Sequence, residues 1–395
     1  MIESLTIGPD KTGRVVAITG GRIVAEPLAG AEMLACPDGV IETGAVCAHT
    51  HLYSALSPYG MPAPQPEPLN FLQILERTWW RLDRAIDAET LSAAARLYVA
   101  EALISGTTAL VDHHESPTFI EGSLGVLAEA CEAFGIRALL CYGATERNFG
   151  AAEAKRGLAE SARITSGPRI RSLIGLHAGF TVSDDTIKAA ADLAQRRGTA
   201  IHIHVAEDIE DVEDARRRGY AGPIERMESL GALVPGSVLA HGVHLSAEEV
   251  ALAAKHKCWL VQNPRSNLRN RVGYPYELWA SPRVALGTDG WPANMTDEQR
   301  ALLQLAAMHS DDGAEKRLPA GNQLIAEHFG AATAGLERGG LGDLVIRVDG
   351  AVRHVVVDGR VVVRDGALAG HDIEAIRAEA KAVSSRLWDR MARVA

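Results

Sequence analysis

The sequence of 395 residues has few cysteines and no long apolar run. Its five cysteines are odd in number and show no CxxC spacing, which argues against a disulfide framework and against a thiolate zinc site. No stretch of about 18 consecutive apolar residues occurs, and the start MIESLTIGPDKTG lacks a basic segment followed by an apolar one. We therefore expect a protein of the reducing cytoplasm, without a signal peptide or a transmembrane helix.

An excess of positive charge is also missing. The formal net charge is −10, and acidic and basic residues are interspersed along the chain. This pattern argues against binding to nucleic acid or to an anionic membrane, and it favours a small-molecule substrate. Because the chain exceeds the roughly 250–300 residues at which one core stops growing, we expect a large domain with a smaller appendage.

Two patterns of residue composition predict the domain organisation. Residues 1–43 and 342–368 are rich in Val, Ile and Gly, with turn signals in ITGGRIV and VVVDGRVVVRDG. They predict a small β-sandwich domain built from both ends of the chain. Residues 44–341 alternate apolar β-like runs with Ala-rich helical stretches, and residues 369–395 predict a C-terminal helix.

The middle segment contains eight β-like runs. In order they are AVCAHTH, GTTALVDHH, IRALLCY, IRSLIGLHAG, TAIHIHVAED, SVLAHGVHLS, CWLVQN and RVALGTDG. Eight strands with intervening helices over about 290 residues predict an α/β fold, the parallel (β/α)₈ TIM barrel. Such barrels place catalytic groups at the C-terminal ends of the strands, and polar residues cluster at those ends here.

The first of these runs carries two histidines one residue apart. Positions two apart share one face of a strand, so His49 and His51 point the same way. Together with His204 on the fifth run and Asp289 on the eighth, they offer three nitrogen donors and one oxygen donor. This set suits one Zn²⁺ or Fe²⁺ with a position left for water. A single histidine of this kind is more often a packed core residue, but the joint pattern favours a metal centre.

Two further groups suit proton transfer. Glu207 follows His204 by three positions, just past the strand end, and His241 ends the sixth run. A bound divalent metal lowers the pKa of water from about 15.7 to about 7, and a carboxylate then carries the released proton to a leaving nitrogen. The alternative for Glu207 is an ordinary acid at a helix N-terminus, where carboxylates suit the helix dipole.

Residues 52–86 form the one irregular connection. Five prolines lie in its first half and two adjacent tryptophans, Trp79 and Trp80, in its second half. This composition predicts a structured lid over the barrel mouth rather than a flexible linker.

At this point the motifs resemble a known family. The ordered set HTH, HVAED, AHGVH, NPRSN and GTDG over residues 49–290 resembles the amidohydrolase superfamily, in its branch of cytosine, guanine, triazine and adenosine-type deaminases and chlorohydrolases. More narrowly, the chain is similar to SsnA-type aminohydrolases through CAHTHLYSAL, WWRLDRAID, DHHESPTFIEGSL, TVSDDTI, IHVAED, NPRSNL and LGTDG.

The resemblance implies a role for each motif residue. It makes His49, His51, His204 and Asp289 the metal ligands, and Glu207 and His241 the acid–base pair. Asp289 would also accept a proton from the attacking water, and His177 would contact the substrate. No lysine ends the fourth run, so the family pattern implies one metal ion rather than two.

The expected function is hydrolytic deamination of a small amino-substituted heterocycle or related amidine, with release of ammonia. An acid three residues after the fifth-strand histidine is typical of the deaminases in this branch. Two alternatives stay open: cleavage of a cyclic amide or carbon–halogen bond at the same centre, and an inactive metal-binding homologue. Similar barrels mostly form symmetric assemblies, so we expect a homodimer or a higher homo-oligomer.

Other polar residues are weaker candidates for substrate binding. His113 and His114 end the second run, where one side chain faces the pocket and the other faces the barrel exterior. Trp80 and Arg81, with Trp79, are placed to stack on a planar ring from the lid. We expect Asn263 in NPRSN to orient the substrate, and His202 to be a packed residue behind His204.

Overall fold

The computed structural model describes residues 4–394. Residues 1–3 of the predicted β domain and residue 395 of the predicted C-terminal helix lie outside the described residues. The strands are β1 Ser4–Ile7, β2 Val16–Thr19, β3 Arg22–Val24, β4 Glu32–Leu34, β5 Val40–Thr43, β6 Ala45–Thr50, β7 Thr107–His114, β8 Arg137–Tyr142, β9 Ile170–Ser172, β10 Ile174–Ala178, β11 Ile201–Val205, β12 Val238–His241, β13 Trp259–Gln262, β14 Val284–Leu286, β15 Leu344–Val348, β16 Ala351–Val357, β17 Arg360–Arg364 and β18 Ala367–Leu368.

The α-helices alternate with the strands of the middle segment and also end the chain. They are α1 Phe71–Ile74, α2 Trp80–Ala85, α3 Ala88–Ile104, α4 Ser123–Phe134, α5 Ala151–Arg163, α6 Asp184–Arg197, α7 Ile209–Arg217, α8 Pro223–Ser229, α9 Ala247–Lys255, α10 Pro264–Asn270, α11 Met295–His309, α12 Arg317–His328 and α13 Ile373–Arg393. Among residues 4–394, no helix is both long and apolar enough to cross a membrane.

The middle segment forms a closed parallel barrel, which confirms the predicted (β/α)₈ fold. One sheet has the order β6-β7-β8-β9 and the other the order β10-β11-β12-β13-β14. Parallel bridges join the two sheets at Thr50 and Asp289 and at Ala144 and Leu176. The predicted fourth strand is broken at Leu173, so that β9 pairs with β8 while β10 pairs with β11. Apolar side chains such as Val111 and Trp259 fill the barrel interior below its mouth.

The two ends of the chain pair with one another, as predicted for the small β-sandwich. One sheet has the order β3-β2-β1-β4 and the other the order β18-β17-β16-β15-β5. In the second sheet, Ile41 of β5 is the antiparallel partner of Ile346 of β15. The two sheets share a buried core that includes Ile7, Ile18 and Val356. Strand β5 ends two residues before barrel strand β6 begins, and the predicted boundaries at 43/44 and 341/342 stay predictions.

Local sequence signals explain several helix boundaries. Asp87 and Thr90 form a reciprocal capping box at the start of α3, and Ser246 and Glu249 do the same for α9. Helix α6 ends at Gly198 in the left-handed conformation, which glycine adopts without a steric penalty.

The predicted lid, residues 52–86, is ordered into short helical pieces. A 3₁₀ turn spans Leu52–Leu56, and a π-helical turn, Leu75–Trp79, joins α1 to α2. Helix α13 holds this segment, because the Trp388 indole N–H donates to the Tyr59 carbonyl at 2.8 Å. Turns of π-helix are frequent at functional sites because they redirect side chains within a helix.

Candidate metal centre and active site

Four side chains from three barrel strands meet at the C-terminal end of the barrel. His49 lies in β6, His51 directly follows it, His204 lies in β11, and Asp289 follows β14. One potential ligand atom from each of the four lies within 4.8 Å of the others. His51 Nε2 is 2.9 Å from Asp289 Oδ1 and 3.3 Å from His204 Nε2, and His49 Nε2 is 3.6 Å from Asp289 Oδ1.

The far side of each imidazole is anchored. His51 Nδ1–H donates to the His113 carbonyl at 2.5 Å, and His204 Nδ1–H donates to the His177 carbonyl at 2.7 Å. Because a carbonyl only accepts, these bonds turn Nε2 of both rings to the common centre, where each ring in its neutral form offers a lone pair. Such outer hydrogen bonds orient histidine ligands in metal sites.

The residues present fit a divalent cation. His49 and His51 are buried, and His49 Nε2 has no hydrogen-bond partner in the protein. An unpartnered buried nitrogen is costly unless another group satisfies it. Three neutral imidazole nitrogens and one carboxylate are a typical donor set for a single catalytic metal with an open position. The site is therefore suited to bind one divalent metal ion.

In the metal-free cluster, the charged groups are His51 and Asp289. Burial alone would lower the pKa of His51, but its contact with Asp289 outweighs burial and raises that pKa to about 10. Burial raises the pKa of Asp289, but the adjacent imidazoles of His49 and His51 outweigh it and hold that pKa well below its usual value. A divalent cation bound by these four residues would take the place of the proton on His51.

Three strand ends at the barrel mouth have left-handed backbone. The φ angles are 48° at Ala206, 76° at His241 and 54° at Asp289. Non-glycine residues rarely adopt this conformation, and it recurs at active sites where the surrounding structure imposes it. At Asp289, the Ser266 hydroxyl donates to Oδ2 while Oδ1 faces the histidines.

Glu207 and His241 lie beside the four-residue cluster. Glu207 Oε2 is 3.5 Å from His241 Nε2, and His241 Nε2 is 4.0 Å from Asp289 Oδ2. Asn270 donates to Glu207 Oε1 at 3.1 Å, and Asn267 Oδ1 lies 2.9 Å from His241 Nδ1. Burial, reinforced by the charge of Asp289, raises the pKa of Glu207 well above its usual value, so this carboxyl holds a proton more readily than an exposed one.

A cavity lies above the cluster and opens to solvent. Its lining combines an apolar wall with acidic and imidazole groups: His51, Tyr53, Ser54, Phe71, Leu75, Trp79, Trp80, Asp83, Glu115, His177, Ala178, Phe180, His204, Ala206, Glu207, Asp208, Asp211, Asn270, Asp289 and Gly290. The lid supplies four of its aromatic side chains, Tyr53, Phe71, Trp79 and Trp80, and the turn after β10 supplies Phe180.

Two of the six predicted substrate residues line the cavity, and four do not. His177 and Trp80 line the cavity, with ring centroids 6.3 Å apart. His113 faces the barrel interior, with its ring 4.4 Å from that of His204. Both of its nitrogens contact protein groups: Nε2–H donates to the Leu176 carbonyl, and Nδ1 is 2.7 Å from Glu115. His113 therefore supports the cluster from behind.

Like His113, the other three predicted substrate residues lie outside the cavity lining. His114 points to the barrel exterior, because neighbouring residues of a strand face opposite sides, and its Nε2 pairs with the Ser116 hydroxyl. The Arg81 guanidinium turns away to the Met391 carbonyl of α13, 3.0 Å distant. Asn263 lies behind His241, with its amide nitrogen 3.3 Å from His241 Nδ1.

The cavity also contains acids that the sequence analysis did not select. Glu115 directly follows the two histidines of β7 and accepts a hydrogen bond from the Tyr53 hydroxyl at 3.1 Å. Burial raises the pKa of Asp83 to about 7, against the opposing effect of Arg147, which donates to its Oδ2. The position of Glu115 at a strand end was a usable signal, whereas Asp83 is brought in by the fold of the lid.

A (β/α)₈ barrel whose mouth holds this donor set beside a buried acid is the architecture of a metal-dependent hydrolase. Comparison with known proteins gives the family: the chain matches the amidohydrolase family over residues 40–362 and belongs to it. This confirms the resemblance inferred from the motifs.

Curated relatives in this family are named deaminases. The chain is 28% identical over 432 residues to an 8-oxoguanine deaminase of Pseudomonas aeruginosa, covering 95% of this chain and 93% of that protein. It is 31% identical over 311 residues to a 5-methylthioadenosine/S-adenosylhomocysteine deaminase of Moorella thermoacetica, covering 76% and 70%. A zinc-bound adenosine deaminase structure from Xanthomonas campestris has the same fold, with a TM-score of 0.80, 23% identity and coverage of 97% and 98%.

Proposed function

We propose that the protein is an aminohydrolase that removes an amino group, as ammonia, from a small planar heterocycle or a related amidine. One observation carries this proposal: Glu207, a buried acid outside the four-residue donor set, lies within 3.5 Å of His241 and faces the same cavity. A deaminase needs a group of this kind to protonate a nitrogen. The deaminase names of the relatives support the same reaction.

His49, His51, His204 and Asp289 would hold the metal ion. Zinc is the ion we propose, since the donor set suits it and the Xanthomonas campestris structure carries bound zinc; iron is the competing ion. When bound, the cation lowers the pKa of water to about 7 and so makes a nucleophile available at neutral pH.

Asp289, His241 and Glu207 would each have a separate role in the proton transfers. Asp289 would accept a proton from the attacking water, and His241, whose Nε2 is 4.0 Å from Asp289 Oδ2, would stabilise the attacking oxygen. Glu207 would give its proton to a ring nitrogen of the substrate, take up the first water proton from Asp289 and pass it to the departing amine, which leaves as ammonia. The second proton of the water would restore the Glu207 carboxyl as the carbonyl of the product forms. Asn270 holds the Glu207 carboxyl in place through its amide.

The cavity lining indicates the class of substrate. Phe71, Trp79, Trp80 and Phe180 supply apolar and aromatic surface for a planar ring, and His177 Nδ1 is held by Thr181, which turns Nε2 towards the ring site. Within residues 4–394, the side chains that line this cavity include six carboxyl groups and no Lys or Arg. We therefore propose a neutral or cationic substrate without a phosphate or carboxylate group.

Assembly and location complete the proposal. Large apolar side chains are exposed between residues 268 and 308, among them Trp279 at 70% and Met308 at 76% exposure, and they support a homodimer or higher homo-oligomer. Light scattering of the purified chain measures the oligomeric state directly.

The five cysteines are all free thiols, which supports a location in the reducing cytoplasm.

The proposal is tested by an ammonia-release screen on the zinc-loaded chain. The panel holds amino-substituted purines and pyrimidines, including 8-oxoguanine and 5-methylthioadenosine, beside cyclic amides and ring halides without amino groups. We expect ammonia from at least one amino-substituted ring. Turnover confined to the lactams or halides, or tight binding without any product, would contradict it.

A further inference from the structure

One of the three imidazoles in the metal centre is anchored differently from the other two. His51 and His204 each donate Nδ1–H directly to a backbone carbonyl. His49 Nδ1 instead lies 2.9 Å from His202 Nε2, and that partner is a second imidazole that either donates or accepts. The tautomer of His49 therefore depends on what holds the other nitrogen of His202.

The contacts beyond His202 determine which way the hydrogen bonds between His49, His202 and Cys141 run. His202 Nδ1 lies 3.5 Å from Cys141 Sγ, and Cys141 Sγ lies 3.4 Å from the Asp112 carbonyl. The carbonyl only accepts, so the thiol proton points to it, and the sulfur accepts from His202 Nδ1–H. His202 Nε2 then has a free lone pair and accepts from His49 Nδ1–H.

If these hydrogen bonds ran in the opposite direction, His49 could not act as a metal ligand. If the Cys141 proton pointed to His202 Nδ1, then His202 Nε2–H would donate to His49 Nδ1. His49 would carry its proton on Nε2, the atom that faces the metal centre, and a protonated nitrogen cannot bind a cation. Cys141, His202 and His49 are fully buried, so bulk water cannot exchange these protons freely.

We propose that Cys141 and His202 are positioning residues that hold His49 in its metal-binding tautomer, with the Asp112 carbonyl fixing the direction of the hydrogen-bond chain. They act through His49 and touch neither the substrate nor the metal. The role rests on the metal centre proposed above. It gives a function to a buried thiol and a buried imidazole that the deamination mechanism does not use.

Zinc affinity of the full chain tests the proposal. Chelator competition gives the Kd of the metal-stripped protein for zinc. We expect Cys141→Ala and His202→Leu to raise this Kd by about 10–100-fold, the usual effect of losing an outer hydrogen-bond partner. Cys141→Ser keeps one donor and one acceptor at the same place, and we expect it to restore affinity to within about threefold of wild type.

The matched control separates this role from packing. Cys131 in α4 is a fully buried thiol that packs in a different apolar cluster from Cys141, and Cys131→Ala should leave the zinc Kd unchanged. NMR of isotope-labelled histidine in the metal-free chain adds an independent readout. The His49 proton should sit on Nδ1 in wild type and be shared between both nitrogens in Cys141→Ala.

Wild-type affinity in Cys141→Ala and His202→Leu, or an equal loss in Cys131→Ala, would overturn the proposed role while leaving the metal centre intact. A wild-type chain that binds no zinc would overturn both proposals.

Discussion

Replacing Glu207 with glutamine isolates the step that distinguishes a deaminase from other hydrolases with this centre. The glutamine side chain has nearly the same shape and keeps an oxygen for the Asn270 amide, which lies 3.1 Å from Glu207 Oε1. What it loses is the transferable proton beside His241. A positioned acid–base group contributes about 10²–10⁴-fold to the rate, which corresponds to about 2.7–5.5 kcal/mol of transition-state stabilisation.

We therefore expect Glu207→Gln to lower kcat by about 10²–10⁴-fold while KM and zinc content stay near wild type. Ammonia release on a confirmed substrate, with metal analysis of the same sample, measures all three. The matched control is Glu213→Gln, an exposed carboxylate on helix α7, which begins two residues after Glu207; this change should leave kcat unchanged. A Glu207→Gln enzyme that retains zinc and turns over within about threefold of wild type would refute the role of this acid.

Further predictions concern affinity, stability and specificity. Because the pKa of His51 is about 10 in the metal-free chain, zinc must displace its proton, and the Kd for zinc should fall about tenfold per pH unit between about pH 6 and about pH 9; a pH-independent Kd in chelator titrations would contradict this. Gly287→Ala would place a Cβ 2.5 Å from Asn263 Oδ1 and 2.8 Å from backbone atoms of His49, and it should lower the free energy of unfolding in urea by about 1–3 kcal/mol. Gly125→Ala in helix α4, where the added Cβ would lie 3.9 Å from the Arg163 guanidinium, should instead raise it by about 0.5–1 kcal/mol. An amino heterocycle should have a kcat/KM at least about 100-fold higher than the same ring carrying a phosphate, because a buried charge without a cationic partner is strongly disfavoured; equal values would contradict the proposed substrate class.

The residues that the sequence predicted best are those fixed by strand geometry. His49 and His204 lie in strands of a barrel whose C-terminal ends share one face, so the fold class alone brings them and Asp289 together. The alternation of side chains along β7 likewise required that only one of His113 and His114 face the interior. These placements follow from the alternation of side chains along a strand, which can be read directly from the sequence.

Residues outside regular strands were harder to place. Arg81 and Trp80 are neighbours in the lid, but the helical register after the π-helical turn sends one to α13 and the other to the cavity. The turn covers LERTW, Leu75–Trp79, where the sequence pattern predicted no change of helical register. The chain from His49 through His202 to Cys141 joins three separate strands, and its distances depend on how those strands are staggered in the barrel.

Metal analysis of the full chain, purified without added metal, tests the central claim most directly. The account predicts about one divalent ion per chain, and near-complete loss of that ion in a His51→Ala, His204→Ala double variant that remains folded. A wild-type chain without bound divalent metal, or a double variant that keeps a full equivalent, would show that these side chains do not form the metal centre.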